Sequence, residues 1–96
     1  MIIYCDIDGV LMTQDKDNPS WYHLAKPIQE NIDKLNKKYD DGNTIILWTA
    51  RGCISGVDYR KLTEKQLDEF GIKYHKLRMD KPYYDIFYDD RSDKEL

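Results

Sequence analysis

Residues 1–9, Met-Ile-Ile-Tyr-Cys-Asp-Ile-Asp-Gly, decide how the rest of this 96-residue chain is interpreted. Residues 1–7 are apolar almost throughout, a pattern typical of a parallel β-strand that is covered on both faces. Gly9 breaks the pattern, so the sequence predicts that Asp6 and Asp8 lie at the carboxyl end of this strand.

The remaining elements alternate between helix and strand. After a long connection at 9–25, the pattern predicts a helix from Lys26 to about residue 41, a strand at 44–49 and a loop at 50–56. A helix at 58–70, a short strand at 72–75 and a final strand at 84–88 complete the chain. This order predicts an α/β fold with a mainly parallel sheet of about four strands and right-handed crossovers. A chain of this length is expected to form a single domain over residues 1–96.

Composition argues against several classes of protein. There are 15 basic and 18 acidic side chains, and the net charge of −3 does not favour non-specific binding of nucleic acid. No apolar run approaches the roughly 20 residues of a membrane span, and no signal peptide is recognised. Two cysteines without a pairing pattern fit a reducing compartment, so a cytoplasmic location is expected.

Three polar segments follow predicted strands, and parallel strands bring such segments to one edge of the sheet. They contain Asp6 and Asp8, Thr49, and the acidic pair Asp89 and Asp90. Four carboxylates in one pocket repel each other unless a cation holds them or some are protonated. Oxygen ligands without His or Cys suit Mg²⁺ far better than Zn²⁺. The sequence therefore predicts a Mg²⁺ site that also accepts a phosphate group, provided that a lysine lies nearby.

A carboxylate in such a pocket can attack phosphorus and form an aspartyl-phosphate. The reaction needs in-line positioning, charge stabilisation of the phosphoryl oxygens and a proton donor for the leaving alkoxide. A second aspartate two residues further on is suited to that donor role, and later to activating water as a base. Gly9 allows the backbone to turn back towards the phosphate.

The motifs together resemble those of the haloacid dehalogenase (HAD) superfamily. The segment Asp6–Val10 after an apolar strand resembles the first motif, and Thr49 after Ile-Ile-Leu-Trp matches the second. Lys81 is assigned to the third motif, and the pair at 89–90 matches the fourth. The resemblance spans residues 1 to about 92, and the segments 46–52 and 81–85 are similar to those of short capsular-biosynthesis-type sugar phosphatases. It implies a small Rossmann-like three-layer sandwich without a cap domain.

The resemblance also implies roles for the four acidic residues. Asp6 would be the nucleophile and a metal ligand, and Asp8 would be the general acid and base, with its backbone carbonyl on Mg²⁺. Asp89 and Asp90 would complete the metal site, one of them through water.

Further roles fall on the phosphate side of the site. Thr49 would hydrogen-bond the phosphoryl group, and Lys81 would pair with the phosphate and with Asp6, although Lys76 is a rival for that role. Substrate contacts are assigned to Gly9 and Ala50. Arg51 is assigned to the same group, and the sequence leaves open whether it contacts phosphate or pairs with an acidic side chain.

Two features depart from the family pattern. The first is that Val10 replaces the usual Thr. The second is that few residues follow the acidic pair, so the sheet is expected to be small. One edge of such a sheet could be covered by a second subunit of a homo-oligomer. The 9–25 loop has room only for a small flap. In that flap Trp21, Tyr22 and His23 either stack on a sugar or base, or pack over the core.

The expected function is Mg²⁺-dependent hydrolysis of a phosphomonoester, with a sugar phosphate or a similar small metabolite as substrate. One alternative is a nucleotide or polynucleotide-end phosphatase, which the acidic net charge argues against. Another is a receiver-like module, although receiver domains carry the acidic pair after the first strand rather than the last. A non-catalytic or partner-dependent module is the third, and the intact motif set argues against it.

Overall fold

The structure of the protein, a computed structural model, describes residues 1–15, 17, 21–93 and 95–96. Its regular elements follow in chain order: β1 (Ile2–Cys5), α1 (Trp21–Leu24), α2 (Gln29–Asp40), β2 (Thr44–Trp48), α3 (Arg60–Glu69) and β3 (Lys76–Arg78). Part of the 9–25 loop, at residues 16 and 18–20, therefore lies outside the described residues. Helix α1 occupies the part of the chain for which a flap was expected.

The three strands form one parallel sheet in the order β1-β2-β3. Ile3 pairs with Ile45 and Cys5 with Leu47, and Leu47 in turn pairs with Leu77. The prediction of a small α/β fold with a parallel sheet is thereby confirmed. The last strand of this sheet begins at Lys76, just after the segment 72–75 for which it was expected.

The helices pack on one face of the sheet. Both crossovers advance across the sheet in the same direction, and right-handed crossovers then place α2 and α3 on the same side. Alternate strand residues point towards that side and join one apolar core, whose central members are Cys5, Ile45, Leu47 and Leu77 from the sheet and Ile32, Leu35 and Leu67 from the helices.

The opposite face of the sheet is partly open to solvent. Ile2 is 70% exposed and Tyr4 is 48% exposed, so β1 is not covered on both faces as its apolar sequence predicted. The described residues thus form two layers rather than the expected three. The physical reason is that a third layer needs a reversal of strand order, and the order β1-β2-β3 contains none.

The predicted final strand at 84–88 is not formed. Ile86 and Tyr88 are 69% and 89% exposed, and the described part of this segment carries no regular structure. After β3 the chain turns over the carboxyl end of the sheet, where the Lys81 N–H donates to the Thr49 carbonyl at 3.2 Å. A parallel strand beside β1 would have to begin at the other end of the sheet. The segment 79–83, between β3 and the predicted strand, is too short for the crossover that this requires.

Among the described residues, no helix is long and apolar enough to cross a membrane.

Candidate active site

A cavity of about 540 Å³ opens at the carboxyl end of the sheet. This volume lies in the range of pockets for small molecules, which is roughly 300–1,000 Å³. Its described lining residues are Asp6, Asp8, Gln14, Trp21, Tyr22, Thr49, Ala50, Arg51, Gly52, Ile54, Ser55, Tyr59, Pro82, Tyr83 and Tyr84. The cavity therefore brings together the residues that follow β1 and β2, as the strand order predicted.

Asp6 forms an ion pair with Lys81. The Lys81 Nζ atom lies 3.2 Å from Asp6 Oδ2, and the Asp6 side chain is 39% exposed, so its carboxylate faces the cavity. The other oxygen, Oδ1, accepts the Ile7 N–H at 2.8 Å, which fixes the orientation of the carboxylate. Burial lowers the pKa of the Lys81 amine, but the charges and hydrogen bonds of Asp6 and Tyr84 together outweigh burial, so the pKa is raised.

The rival lysine lies elsewhere. Lys76 is the first residue of β3 and is exposed, whereas the cavity lies beyond the opposite end of that strand. Of the two candidates, Lys81 is therefore the one that the structure places against Asp6.

Asp8 is held by Arg51 through two hydrogen bonds. Arg51 Nε donates to Oδ2 at 2.9 Å and Nη2 donates to Oδ1 at 2.7 Å, a bidentate pair of the kind that guanidinium and carboxylate form best. The Arg51 side chain is fully buried, and the Asp8 side chain is 13% exposed. This geometry fixes the plane of the Asp8 carboxylate at the wall of the cavity.

The remaining donors of Arg51 are also used inside the protein. Nη1 donates to Thr63 Oγ1 at 3.1 Å and to Gln66 Oε1 at 2.6 Å, and Nη2 donates to the Met12 sulfur at 3.5 Å. A guanidinium carries five N–H groups, and all five are accounted for by these contacts and the pair with Asp8. Of the two roles left open by the sequence, the structure gives Arg51 the pairing with an acidic side chain and no donor for phosphate.

Thr63 and Gln66 were not identified from the sequence. Both are buried on helix α3, where Thr63 is 0% and Gln66 is 5% exposed. Gln66 also donates to the Tyr22 carbonyl at 2.6 Å, which ties α1 to the Arg51 network. The sequence did contain a signal: two polar residues three positions apart on an otherwise apolar face of the helix. Because buried polar groups need hydrogen-bond partners, such a pair indicates a polar partner from another part of the chain.

Two opposing effects act on the acidity of Asp8. Burial raises the pKa of its carboxyl group, and the hydrogen bonds and charge of Arg51 oppose this shift without cancelling it. A carboxyl group with a raised pKa keeps its proton to a higher pH, which suits a proton donor.

Thr49 and Ala50 present backbone and hydroxyl groups at the end of β2. Thr49 is 1% exposed, and its Oγ1 accepts the Arg51 N–H at 3.1 Å, which leaves the hydroxyl proton to be donated. Among the described residues, no acceptor is found for the Ala50 N–H. Gly9 is in the left-handed region with φ of +84°, and its N–H donates to the Met12 carbonyl at 2.8 Å. Thr49 and Ala50 line the cavity, whereas Gly9 does not.

The acidic pair near the C-terminus is not part of this site. Asp89 and Asp90 are exposed and do not line the cavity, and the Asp89 carboxylate instead accepts the Arg91 N–H at 2.8 Å. Within the described ranges, no cluster of three acidic, His or Cys side chains is positioned to hold a metal. The expected Mg²⁺ site combined Asp6, the backbone carbonyl of Asp8 and the acidic pair at 89–90, and the described arrangement does not fit it because that pair lies outside the cavity. The Asp6 carboxylate, which faces the cavity, remains a candidate ligand.

Comparisons with known proteins support the fold. No protein-family model and no curated protein sequence matches this chain. A crystal structure of a Vibrio cholerae protein, described as an MCSG target, superposes with a TM-score of 0.77 at 24% identity. The match covers 93% of this chain and 78% of that one. At this identity the similarity shows the α/β fold alone.

Proposed function

We propose that this protein is a small, capless phosphatase of the HAD type, which hydrolyses phosphomonoesters with Mg²⁺ through an aspartyl-phosphate on Asp6. The supporting observation is the pair of Asp6 and Lys81, 3.2 Å apart, at a small-molecule cavity on the carboxyl end of the sheet. A sugar phosphate or a similar small metabolite is the proposed substrate, on the resemblance to short sugar phosphatases.

The reaction is assigned to side chains of this chain. Asp6 attacks phosphorus, the bond from phosphorus to the leaving oxygen breaks, and the proton of Asp8 passes to that oxygen. Thr49 and the Ala50 N–H hydrogen-bond the phosphoryl oxygens, and Lys81 offsets their charge. Asp8, now ionised and held by Arg51, then takes a proton from water, which attacks phosphorus and releases phosphate from Asp6.

A charge count supports the requirement for a divalent cation. Lys81 and Arg51 face Asp6 and Asp8, so the site has no net charge when Asp8 is ionised and one positive charge when Asp8 carries its proton. A phosphate dianion adds two negative charges, so an excess of negative charge remains in either state. Mg²⁺ would suit this need because it prefers oxygen ligands; Asp6 would be the side chain that holds it, and its charge would offset that of the phosphate. No step is assigned to the metal, since the acidic pair at 89–90 does not reach the cavity.

The test is release of phosphate from a panel of sugar phosphates, nucleotides and a 3′-phosphorylated oligonucleotide, with and without Mg²⁺. We expect turnover that requires Mg²⁺ and is lost in Asp6→Asn, while Asp41→Asn keeps wild-type activity, because Asp41 is exposed, pairs with Lys37 and does not line the cavity. Equal activity of Asp6→Asn and the wild type would refute the proposed nucleophile. A preference for the oligonucleotide would favour the polynucleotide-end phosphatase.

A receiver-like or other non-catalytic phosphate-binding module is the second candidate. The observation in its favour is that the acidic pair at 89–90 lies outside the cavity, so the described site has a phosphate acceptor without a complete metal centre. The two candidates differ in turnover. Stable phosphorylation of Asp6 by acetyl phosphate, without release of phosphate over hours, would favour the module.

The proposal also includes a cytoplasmic location and a homo-oligomer. The free edge of β1 and the exposed side chains of Ile2 and Tyr4 support a subunit contact at that edge. Sedimentation of the purified protein would measure the oligomeric state directly.

A further inference from the structure

The cavity is unusually rich in aromatic side chains. Five of its fifteen described lining residues are aromatic, whereas aromatic residues make up 12% of the whole chain. They are Trp21, Tyr22, Tyr59, Tyr83 and Tyr84. An aromatic lining of this density favours a ligand with a flat apolar face, because such faces stack on aromatic rings.

These rings lie next to the groups that would carry out the chemistry. The Tyr84 ring centroid is 5.5 Å from Lys81 Nζ, close to the pair with Asp6. The Tyr22 ring centroid is 4.9 Å from Arg51 Cζ, close to the pair with Asp8. The leaving group of a phosphate bound at Asp6 would therefore lie among aromatic side chains.

Trp21 is the best placed stacking surface. Its ring lies 3.9 Å from that of Tyr22, centroid to centroid, and Tyr22 packs edge-on against Tyr59 at 4.8 Å. The Tyr22 carbonyl is further fixed by the hydrogen bond from Gln66. Tyr22 is thus held by the Arg51 network, whereas Trp21, which is partly exposed, presents ring surface to the cavity.

The charges of the lining limit the number of phosphates. Arg51 is the only basic side chain among the described lining residues, and all of its donors are used inside the protein. Lys81 approaches from beside the cavity and already pairs with Asp6. A second phosphate, or a polynucleotide backbone, would find no unpaired cation along the described wall.

We infer that the cavity selects a phosphomonoester whose single phosphate is carried on a ring with a flat apolar face, and that Trp21 provides the surface on which the ring stacks. This inference rests on the proposed function for the position of the phosphate. A pyranose and a nucleobase both offer such a face, and either one can stack on the Trp21 ring.

The experiment compares ligands within each variant. Dissociation constants for a hexose 6-phosphate, a nucleoside 5′-monophosphate, glycerol 3-phosphate and a hexose bisphosphate are measured by calorimetry with Mg²⁺ in the Asp6→Asn background. We expect at least one ring-bearing monophosphate to bind about tenfold more tightly than glycerol 3-phosphate, as expected for one stacked ring. Whichever of the hexose 6-phosphate and the nucleoside 5′-monophosphate binds more tightly identifies the ring, pyranose or nucleobase, that stacks on Trp21.

Substitutions on helix α1 test the role of Trp21. In Trp21→Ala, the ring-bearing monophosphate should bind at most about twofold more tightly than glycerol 3-phosphate. Trp21→Phe, which keeps a flat ring, should retain most of the wild-type preference. Leu24→Ala is the matched control, because Leu24 is on the same helix, 60% exposed and outside the cavity lining. Since the preference is a ratio within one variant, a partly unfolded fraction does not change it.

The two proposals fail in different ways. A wild-type enzyme that turns over glycerol 3-phosphate as well as any ring-bearing ester, with no preference in binding, would overturn the inference and leave the phosphatase intact. A clear ring preference in binding without turnover of any ester would overturn the phosphatase and leave the inference intact. Tighter binding of the bisphosphate than of the monophosphate would also contradict the inference.

Discussion

Arg51 Nε and Nη2 lie 2.9 and 2.7 Å from the two carboxylate oxygens of Asp8, which joins residues 43 positions apart in the sequence. This pair connects the strand-end motif after β1 with the loop after β2. It also connects both to helix α3 through Thr63 and Gln66. The orientation of the candidate proton donor thus depends on a buried network rather than on the two motifs alone.

Breaking this pair on one side should strongly destabilise the protein. We expect Arg51→Met and Asp8→Asn each to lower the free energy of unfolding by about 3–5 kcal/mol, because each leaves a buried partner uncompensated. The double variant should lose less than the sum, since neither charge is then left alone. Urea denaturation measures all three. Lys37→Ala, which breaks an exposed pair, serves as control and should cost less than about 1 kcal/mol.

The position of Lys81 predicts which lysine supports catalysis. Lys81→Met should lower kcat roughly 10²- to 10³-fold, as found for other groups that stabilise developing charge. Lys76→Met should leave kcat close to wild type, because Lys76 begins β3 at the far end of the sheet from the cavity. Steady-state kinetics on the best substrate of the panel distinguishes the two. A larger loss in Lys76→Met would mean that the segment after β3 is arranged differently during turnover.

The loop after β2 depends on Gly52. Gly52 has φ of +80°, and an added Cβ would collide with the backbone carbonyl of Val57. Gly56, in the same loop, has φ of +72° and open space around its Cα. Gly56→Ala should therefore cost about 1–2 kcal/mol from the left-handed backbone alone. Gly52→Ala should cost clearly more, because the backbone carbonyl of Val57 must also move.

Thermal and urea unfolding of the two glycine variants provide the comparison. Equal destabilisation by the two substitutions would show that the loop relaxes around residue 52 without resistance. In that case the substrate KM of Gly52→Ala should also stay unchanged, although Gly52 lines the cavity.

The two cysteines should react very differently with thiol reagents. Burial raises the pKa of Cys5 to about 12, and the neighbouring Asp6 carboxylate adds to this shift. Cys53 is exposed in the loop after β2. Because the thiolate is the reactive form, native protein at pH 8 should lose one thiol quickly to a chromogenic disulfide, and both after denaturation. Cys53→Ser should show no fast reaction, and rapid labelling of Cys5 in that variant would contradict the buried position of its side chain.

The sequence by itself determined the order of β1, α2, β2, α3 and β3, the parallel α/β class and the end of the sheet at which Asp6, Asp8 and Thr49 meet. These properties follow from local periodicity and from the rule that parallel strands end at the same edge, so no knowledge of packing was needed. The preference for Lys81 over Lys76 came from the resemblance to short sugar phosphatases, and the structure places Lys81 against Asp6.

Only the tertiary structure decided which partner Arg51 takes, which face of the sheet the helices cover and where the segment 84–90 lies. An arginine beside a cavity suits phosphate and carboxylate equally, and the choice depends on Asp8, Thr63 and Gln66 being brought around it from distant parts of the chain. The apolar segment at 84–88 has the pattern of a strand, but a strand forms only where a neighbouring backbone offers hydrogen bonds in register. Side-chain pattern is local, whereas such partners are set by how the crossovers place the strands.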